Sequence, residues 1–179
     1  DMCISPISRR ATTALNTTGK INPSVPCGKC PDCRKSKFRS WLFRIEKELD
    51  RSFNPLFITL TYDNDNVPIV DDGVHTLCRR DIQLFFKKLR KRHAKISTDK
   101  LVYYLCGEYG TKTNRPHYHL ILYNLVDIDM VQKSWQYGFD YSLPLKEGGI
   151  SYVLKYIQKP YEWDSKDVRE KPFALMSKV

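Results

Sequence analysis

The first chemistry the chain offers lies in Arg115-Pro-His117-Tyr118-His119-Leu120-Ile121-Leu122-Tyr123, where two histidines are separated by one residue. In an extended strand alternate residues point the same way, so His117 and His119 present two imidazoles on one face while Tyr118 and Leu120 turn to the other. Two rings held on a rigid strand suit a divalent cation, and a productive site needs a third, usually anionic, ligand. Glu108 ends the preceding apolar run, and a polar link over 109–115 that turns near Lys112 makes an antiparallel hairpin with Glu108 directly across from His117. Glu108, His117 and His119 are therefore the expected metal ligands. An ordinary solvent-facing or cross-strand-bonded histidine pair is the competing reading of the same letters.

A nucleophile of the right kind lies downstream in Ser151-Tyr152-Val153-Leu154-Lys155-Tyr156-Ile157-Gln158-Lys159. At about 100° per residue, Ile150, Val153, Leu154 and Ile157 form one stripe of a helix and Tyr152, Lys155, Tyr156 and Lys159 another, roughly opposite. Phenols at i and i+4 are surface neighbours, and lysines on their stripe suit phosphate. A phenolate near a metal-polarised phosphodiester can attack phosphorus, leaving a covalent phosphotyrosine and a free hydroxyl on the leaving strand. Tyr152 and Tyr156 are the candidate nucleophiles, with Lys155 and Lys159 beside them; two surface tyrosines on an amphipathic helix are the alternative.

Cysteines mark a third site. Cys27-Gly-Lys-Cys30-Pro-Asp-Cys33 is too tight for easy mutual bridging and well spaced for zinc, and Cys3 is the candidate for the fourth ligand of a closed structural site. Reduced or redox-labile loop thiols are the alternatives. Cys78 and Cys106, on a helix approach and inside a strand, read as small buried thiols.

The elements that must position these groups follow from periodicity. Residues 1–26 carry no sustained period and read as an irregular arm tied down by metal. Helices are expected at 36–51, 80–93, 127–135 and 150–159, the last stopped by Pro160, and strands at 55–62, 101–108, 116–123 and 138–143. This order predicts an α+β fold with an antiparallel sheet and flanking helices. The expected division is a Cys-rich arm over 1–35, a main domain over 36–160 and a C-terminal extension over 161–179, polar and weakly patterned, of a chain cut from a longer one.

Thirty Lys and Arg against 20 Asp and Glu leave a formal charge of +10, which argues for a polyanionic partner. Arg79, Arg80, Lys87, Lys88, Arg90 and Lys91 crowd one helix. With Arg115, and with Tyr103, Tyr104 and Tyr118 to stack bases, they are the expected contacts to a single DNA strand. A 41% hydrophobic content excludes a wholly disordered basic tail. No apolar run is long enough for a transmembrane helix and the start does not resemble a signal peptide, so a soluble intracellular protein is expected. No P-loop or GxGxxG is present, so ATP-driven unwinding is not encoded in these residues.

Taken together and in this order, Phe57-Ile-Thr-Leu-Thr-Tyr62, Gly107-Glu-Tyr-Gly110 with Arg115-Pro-His-Tyr-His119, and Tyr152-Val-Leu-Lys-Tyr-Ile-Gln-Lys159 resemble the three motifs of the HUH endonucleases that start rolling-circle replication. The cysteine run looks like that of the replication initiators of microviruses, in particular the gokushovirus branch. The resemblance spans about Cys3 to Lys159. It implies a sheet of about five antiparallel strands, Mg²⁺ or Mn²⁺ on His117, His119 and Glu108, and Tyr152 and Tyr156 as paired nucleophiles, with Lys155 and Lys159 orienting phosphate or metal-bound water. It also implies single-stranded DNA at a replication origin, supercoiled circular duplex DNA and a host helicase or polymerase as partners, no membrane, and a host-cytoplasmic location. Two other readings compete: a non-catalytic single-stranded nucleic-acid-binding module, and a zinc-dependent regulator that reads duplex DNA through the basic helix after Cys33.

Overall fold

The computed structural model describes residues 3–8, 24–146, 148–158, 164 and 166–177. Its elements run β1 (Ile7–Ser8), β2 (Ser24–Val25), α1 (Pro31–Leu49), β3 (Leu56–Tyr62), β4 (Ile69–Val70), β5 (Val74–His75), α2 (Arg79–His93), β6 (Val102–Tyr109), β7 (Pro116–Tyr123), α3 (Asp129–Ser134), β8 (Gly138–Pro144), α4 (Gly149–Gln158) and β9 (Phe173–Met176). Five of the strands form one antiparallel sheet in the order β8-β3-β7-β6-β9. The α+β class and the sheet are as the sequence predicts.

β7 holds the middle because it can be buried on both sides. Tyr118, Leu120 and Leu122 point to one face, and Ile121 and Tyr123 to the other, and all five are buried. On the first face Ile82, Phe85, Phe86 and Leu89 of α2 pack with Ile58, Leu60 and Trp135. These are the i, i+3, i+4, i+7 positions expected of an amphipathic helix. On the second face Ile45 of α1 and Val153 and Leu154 of α4 pack over Val102, Tyr104 and Cys106. His117 and His119 share this second face with Ile121, so α1 and α4 lie on the side where the imidazoles point.

Two boundaries differ from the periodicity. α1 begins at Pro31 instead of 36. Proline at N1 starts a helix without losing a hydrogen bond, and the first turn carries no apolar stripe to reveal it. The segment expected as an extension contributes the fifth strand, β9, which pairs with β6 from Gly107↔Phe173 to Tyr104↔Met176. A four-residue run gives too few alternations to register as a strand. Among the described residues no helix is long and apolar enough to cross a membrane.

One glycine is required by close approach. Gly138 opens β8 at φ +153°, and a Cβ there would lie 2.4 Å from both Asp63 N and Thr61 O of the neighbouring strand end. Gly138→Ala must push β8 off β3, and we expect a loss of about 2 kcal/mol or more in unfolding free energy from urea titration. An unchanged midpoint and slope would show that β8 does not depend on that contact.

Candidate active site

The β6–β7 hairpin brings the three expected ligands together. Glu108 pairs with His117 and Cys106 with His119, while on the other flank of β7 Thr59 pairs with His119 and Thr61 with His117. His117 Nε2 lies 2.9 Å from Glu108 Oε1 and His119 Nε2 3.3 Å from the same oxygen. The candidate ligand atoms of the three residues all lie within 4.8 Å of one another.

The other ring nitrogens fix the tautomers. His117 Nδ1 sits 3.2 Å from the Arg115 carbonyl, which can only accept, so Nδ1 carries a proton and donates. His119 Nδ1 lies 2.9 Å from Thr59 Oγ1, which can accept in the same way. With both Nδ1 protonated, both Nε2 lone pairs face the Glu108 carboxylate, an arrangement that a cation between them satisfies. Glu108 and His119 are only 4% and 6% exposed, and a carboxylate this buried needs a compensating partner. Two imidazole nitrogens and one carboxylate oxygen form a donor set for a borderline-to-hard divalent ion.

α4 carries a tyrosine to the edge of this cluster. Val153 and Leu154 are fully buried against the sheet, which leaves Tyr152 on the flank of the helix, 42% exposed. Its ring stands edge-on to His119 at 5.5 Å and edge-on to Phe57 at 5.9 Å, and Phe57 in turn stacks on His119 at 5.8 Å. Tyr118 and Tyr104, by contrast, are fully buried, and burial pushes both phenols well above their ordinary range. Tyr156 follows Tyr152 by one helical turn in α4; the side chains of Lys155 and Tyr156, and all of Lys159, lie outside the described residues.

The cysteines also converge. Cys30 Sγ lies 3.8 Å from Cys3 Sγ and Cys27 Sγ lies 4.0 Å from Cys33 Sγ. A tetrahedron with Zn–S bonds of about 2.3 Å has sulfur–sulfur edges of about 3.8 Å, so this is the spacing of a four-thiolate zinc site. All four thiols are free. Hydrogen bonding from the Cys33 backbone, at the start of α1, holds the Cys30 thiol down at about 6, which favours the thiolate a metal requires. Cys106 is buried and Cys78 half-buried before α2.

The expected DNA contacts divide differently. Arg79, Arg80, Lys87, Lys88, Arg90 and Lys91 lie on α2, across the sheet from the histidines, and several already have protein partners. Arg79 pairs with Glu170, Lys88 bonds to Gln136, and Arg90 lies over Phe86. Arg115 reaches Asn64 Oδ1 at 2.8 Å and the Tyr62 carbonyl at 3.0 Å, bracing the hairpin against β3. The expectation that Tyr104 and Tyr118 stack bases is corrected, because both are sealed in the core; Tyr103 is half-buried and stacks on Phe86 at 3.8 Å. Phe57 and Thr59 are the residues the sequence did not single out. Their signal is the alternation Phe57-x-Thr59 in β3, which acquires meaning only once β3 is known to pair with β7.

Comparison with known proteins bears on this geometry. A family model described as replication-associated protein ORF2 matches residues 55–161. The chain is 29% identical to replication-associated protein ORF2 of Spiroplasma virus 4 over 81% of its own length and 51% of that protein. It is 32% identical to replication-associated protein VP4 of Bdellovibrio phage phiMH2K, over 68% of the chain and 41% of the relative. Against replication-associated protein ORF4 of Chlamydia phage 1 the identity is 25%, over 76% and 38%. The chain thus spans about half the length, or less, of these relatives. No solved structure matches it significantly.

Two measurements test the metal chemistry. Thr59→Val removes the partner of His119 Nδ1 without touching a ligand, and Mn²⁺ titration by calorimetry should then show affinity about 10–100-fold weaker; unchanged affinity would mean that His119 is not a ligand. For the cysteines, elemental analysis of the purified chain should find one zinc, lost in Cys30→Ser together with protection of the α1 start from proteolysis.

Proposed function

The chain belongs to the family of replication-associated protein ORF2, and from that premise we propose that it is a site-specific single-strand DNA endonuclease and strand transferase. In this role it starts rolling-circle replication of a circular single-stranded phage genome. The observation that carries the proposal is the Tyr152 ring 5.5 Å from that of His119, whose Nε2 converges with that of His117 on one Glu108 oxygen.

Glu108, His117 and His119 hold Mg²⁺ or Mn²⁺, which when bound supplies Lewis-acid stabilisation of charge at the scissile phosphate. The chain's own residues do the rest. Thr59 and the Arg115 carbonyl keep the imidazoles in one tautomer and one orientation. The Tyr152 oxygen forms a bond to phosphorus as the bond from phosphorus to the 3′ oxygen breaks, and the phenolic proton ends on that 3′ oxygen. The products are a 5′-phosphotyrosine and a free 3′ hydroxyl for a polymerase to extend. One phosphodiester is exchanged for another, so the linkage retains the energy needed for rejoining and no nucleotide cofactor is required.

Tyr156, one turn along α4, is the second nucleophile that accepts the strand after a round of synthesis, with Lys155 and Lys159 orienting phosphate. The cations of α2 and Arg115 contribute to DNA binding, and Cys3, Cys27, Cys30 and Cys33 bind a structural zinc that ties the arm to α1. The partners are origin single strand, supercoiled circular duplex and the replication helicase or polymerase of the host, in whose cytoplasm the protein acts.

The test is covalent capture. Incubated with Mn²⁺ and a labelled origin-derived single strand, the full-length protein should give an adduct stable on a denaturing gel, abolished by chelator. Tyr152→Phe should slow its formation by at least about 10³-fold, and the Tyr152→Phe/Tyr156→Phe double variant should form none. An adduct that survives in the double variant contradicts the assignment.

A further inference from the structure

Along β8, Phe139, Tyr141 and Leu143 are 69%, 63% and 39% exposed. Their common face is fixed by register: Phe139 pairs with Thr61, which pairs with His117, and Tyr141 pairs with Thr59, which pairs with His119. Each aromatic ring therefore stands in the same cross-sheet row as one of the histidines, two strands away and on the histidine face, at a separation of roughly 10 Å. Leu143 continues the stripe beside Phe57. Edge strands are usually blunted with charge or proline against unwanted pairing. Here an edge strand presents two aromatic rings instead.

The stripe runs into an apolar cavity of about 300 Å³ lined by Phe57, Leu143, Pro144 and Tyr152, with Lys146 the one charged residue among the described residues around it. Phe57 forms the wall between this cavity and the metal ligands, since it stacks on His119 and meets Tyr152 edge-on. The surface thus offers flat aromatic faces, an apolar slot and a cation, laid out continuously with the candidate nucleophile. That combination suits unpaired nucleobases on a phosphate backbone: every base has a π-face, stacking tolerates any sequence, and the phosphates meet a chain of net charge +10.

We propose that Phe139 and Tyr141 form a stacking platform for unpaired bases of the DNA strand, and that the Phe57–Leu143–Tyr152 cavity takes the base adjoining the phosphate to be cut. The platform selects single-stranded over duplex DNA, because bases already paired and stacked cannot lie on the rings. It rests on the proposed function only for the identity of the cut phosphate; the stacking itself does not require cleavage.

The experiment is fluorescence anisotropy of a labelled single-stranded oligonucleotide with the full-length protein, without divalent metal so that no cleavage intervenes. Both rings are exposed, so Phe139→Ala and Tyr141→Ala leave the fold intact, and each should weaken binding about tenfold. Phe139→Trp should restore it, and binding to duplex of the same sequence should not change. An abasic residue moved along the strand should weaken the parent protein at two neighbouring positions and leave the alanine variants unaffected there. Adduct formation in the parent with undiminished binding by the alanine variants overturns the platform and spares the nuclease; weakened binding in the variants with no adduct in the parent does the reverse. Alanine variants that change the sedimenting mass but not DNA binding would assign the stripe to self-association through the open edge of β8 and also overturn the proposal.

Discussion

The register between β6 and β7 is the constraint on which the site depends. A slip of one residue would turn Glu108 to the opposite face from His117 and, equally, drive Tyr118 and Leu120 out of the core. The imidazole positions are therefore protected by packing that has nothing to do with metal. Tyr118 illustrates the coupling: its hydroxyl bonds to that of Tyr62 at 2.9 Å and accepts from the Cys78 backbone at 2.8 Å, locking the strand from the side opposite the histidines. The hairpin closes with Gly110 N donating to the Arg115 carbonyl, the same carbonyl that receives the His117 Nδ1 proton. One turn thus sets both the register and a tautomer.

The sheet also separates tasks. The α2 face is filled with aromatic and aliphatic side chains and leaves no room for a ligand near β7. The other face is filled only over its α1 and α4 portion, which leaves Glu108, His117 and His119 at the margin of a core, dry enough to strengthen electrostatic interactions yet reachable beside Tyr152. The basic surface of α2 lies on the wrong side to touch a phosphate held at the histidines. Its charge acts there through the field of the molecule or through DNA that passes around the sheet.

Much of this was legible in the letters because it depends on local periods. His-x-His with Glu108 nine residues earlier needs only a strand period of two and a short link, and the observed pairing of Glu108 with His117 follows from that arithmetic. The helix stripes of α2 and α4 follow in the same way. What was not legible depends on pairing between distant segments. Thr59 supports His119 only because β3 lies beside β7, and the aromatic residues of β8 share the histidine face only because β8 lies beside β3. Tyr104 and Tyr118 misled for a related reason: a tyrosine in a strand looks the same whether its hydroxyl reaches solvent or, as for Tyr118, finds a partner inside. β9 was hidden by its brevity, its existence resting on the free edge of β6.

The central claim is spatial: a single cation gathered by two imidazoles and one carboxylate, within reach of a phenol. Anomalous diffraction from crystals of the protein soaked in Mn²⁺ measures it most directly. The account predicts one strong peak bonded to His117 Nε2, His119 Nε2 and a Glu108 oxygen, on the side of His119 that Tyr152 faces. A peak elsewhere, or a saturated crystal with those three groups still bonded only to one another, would contradict it.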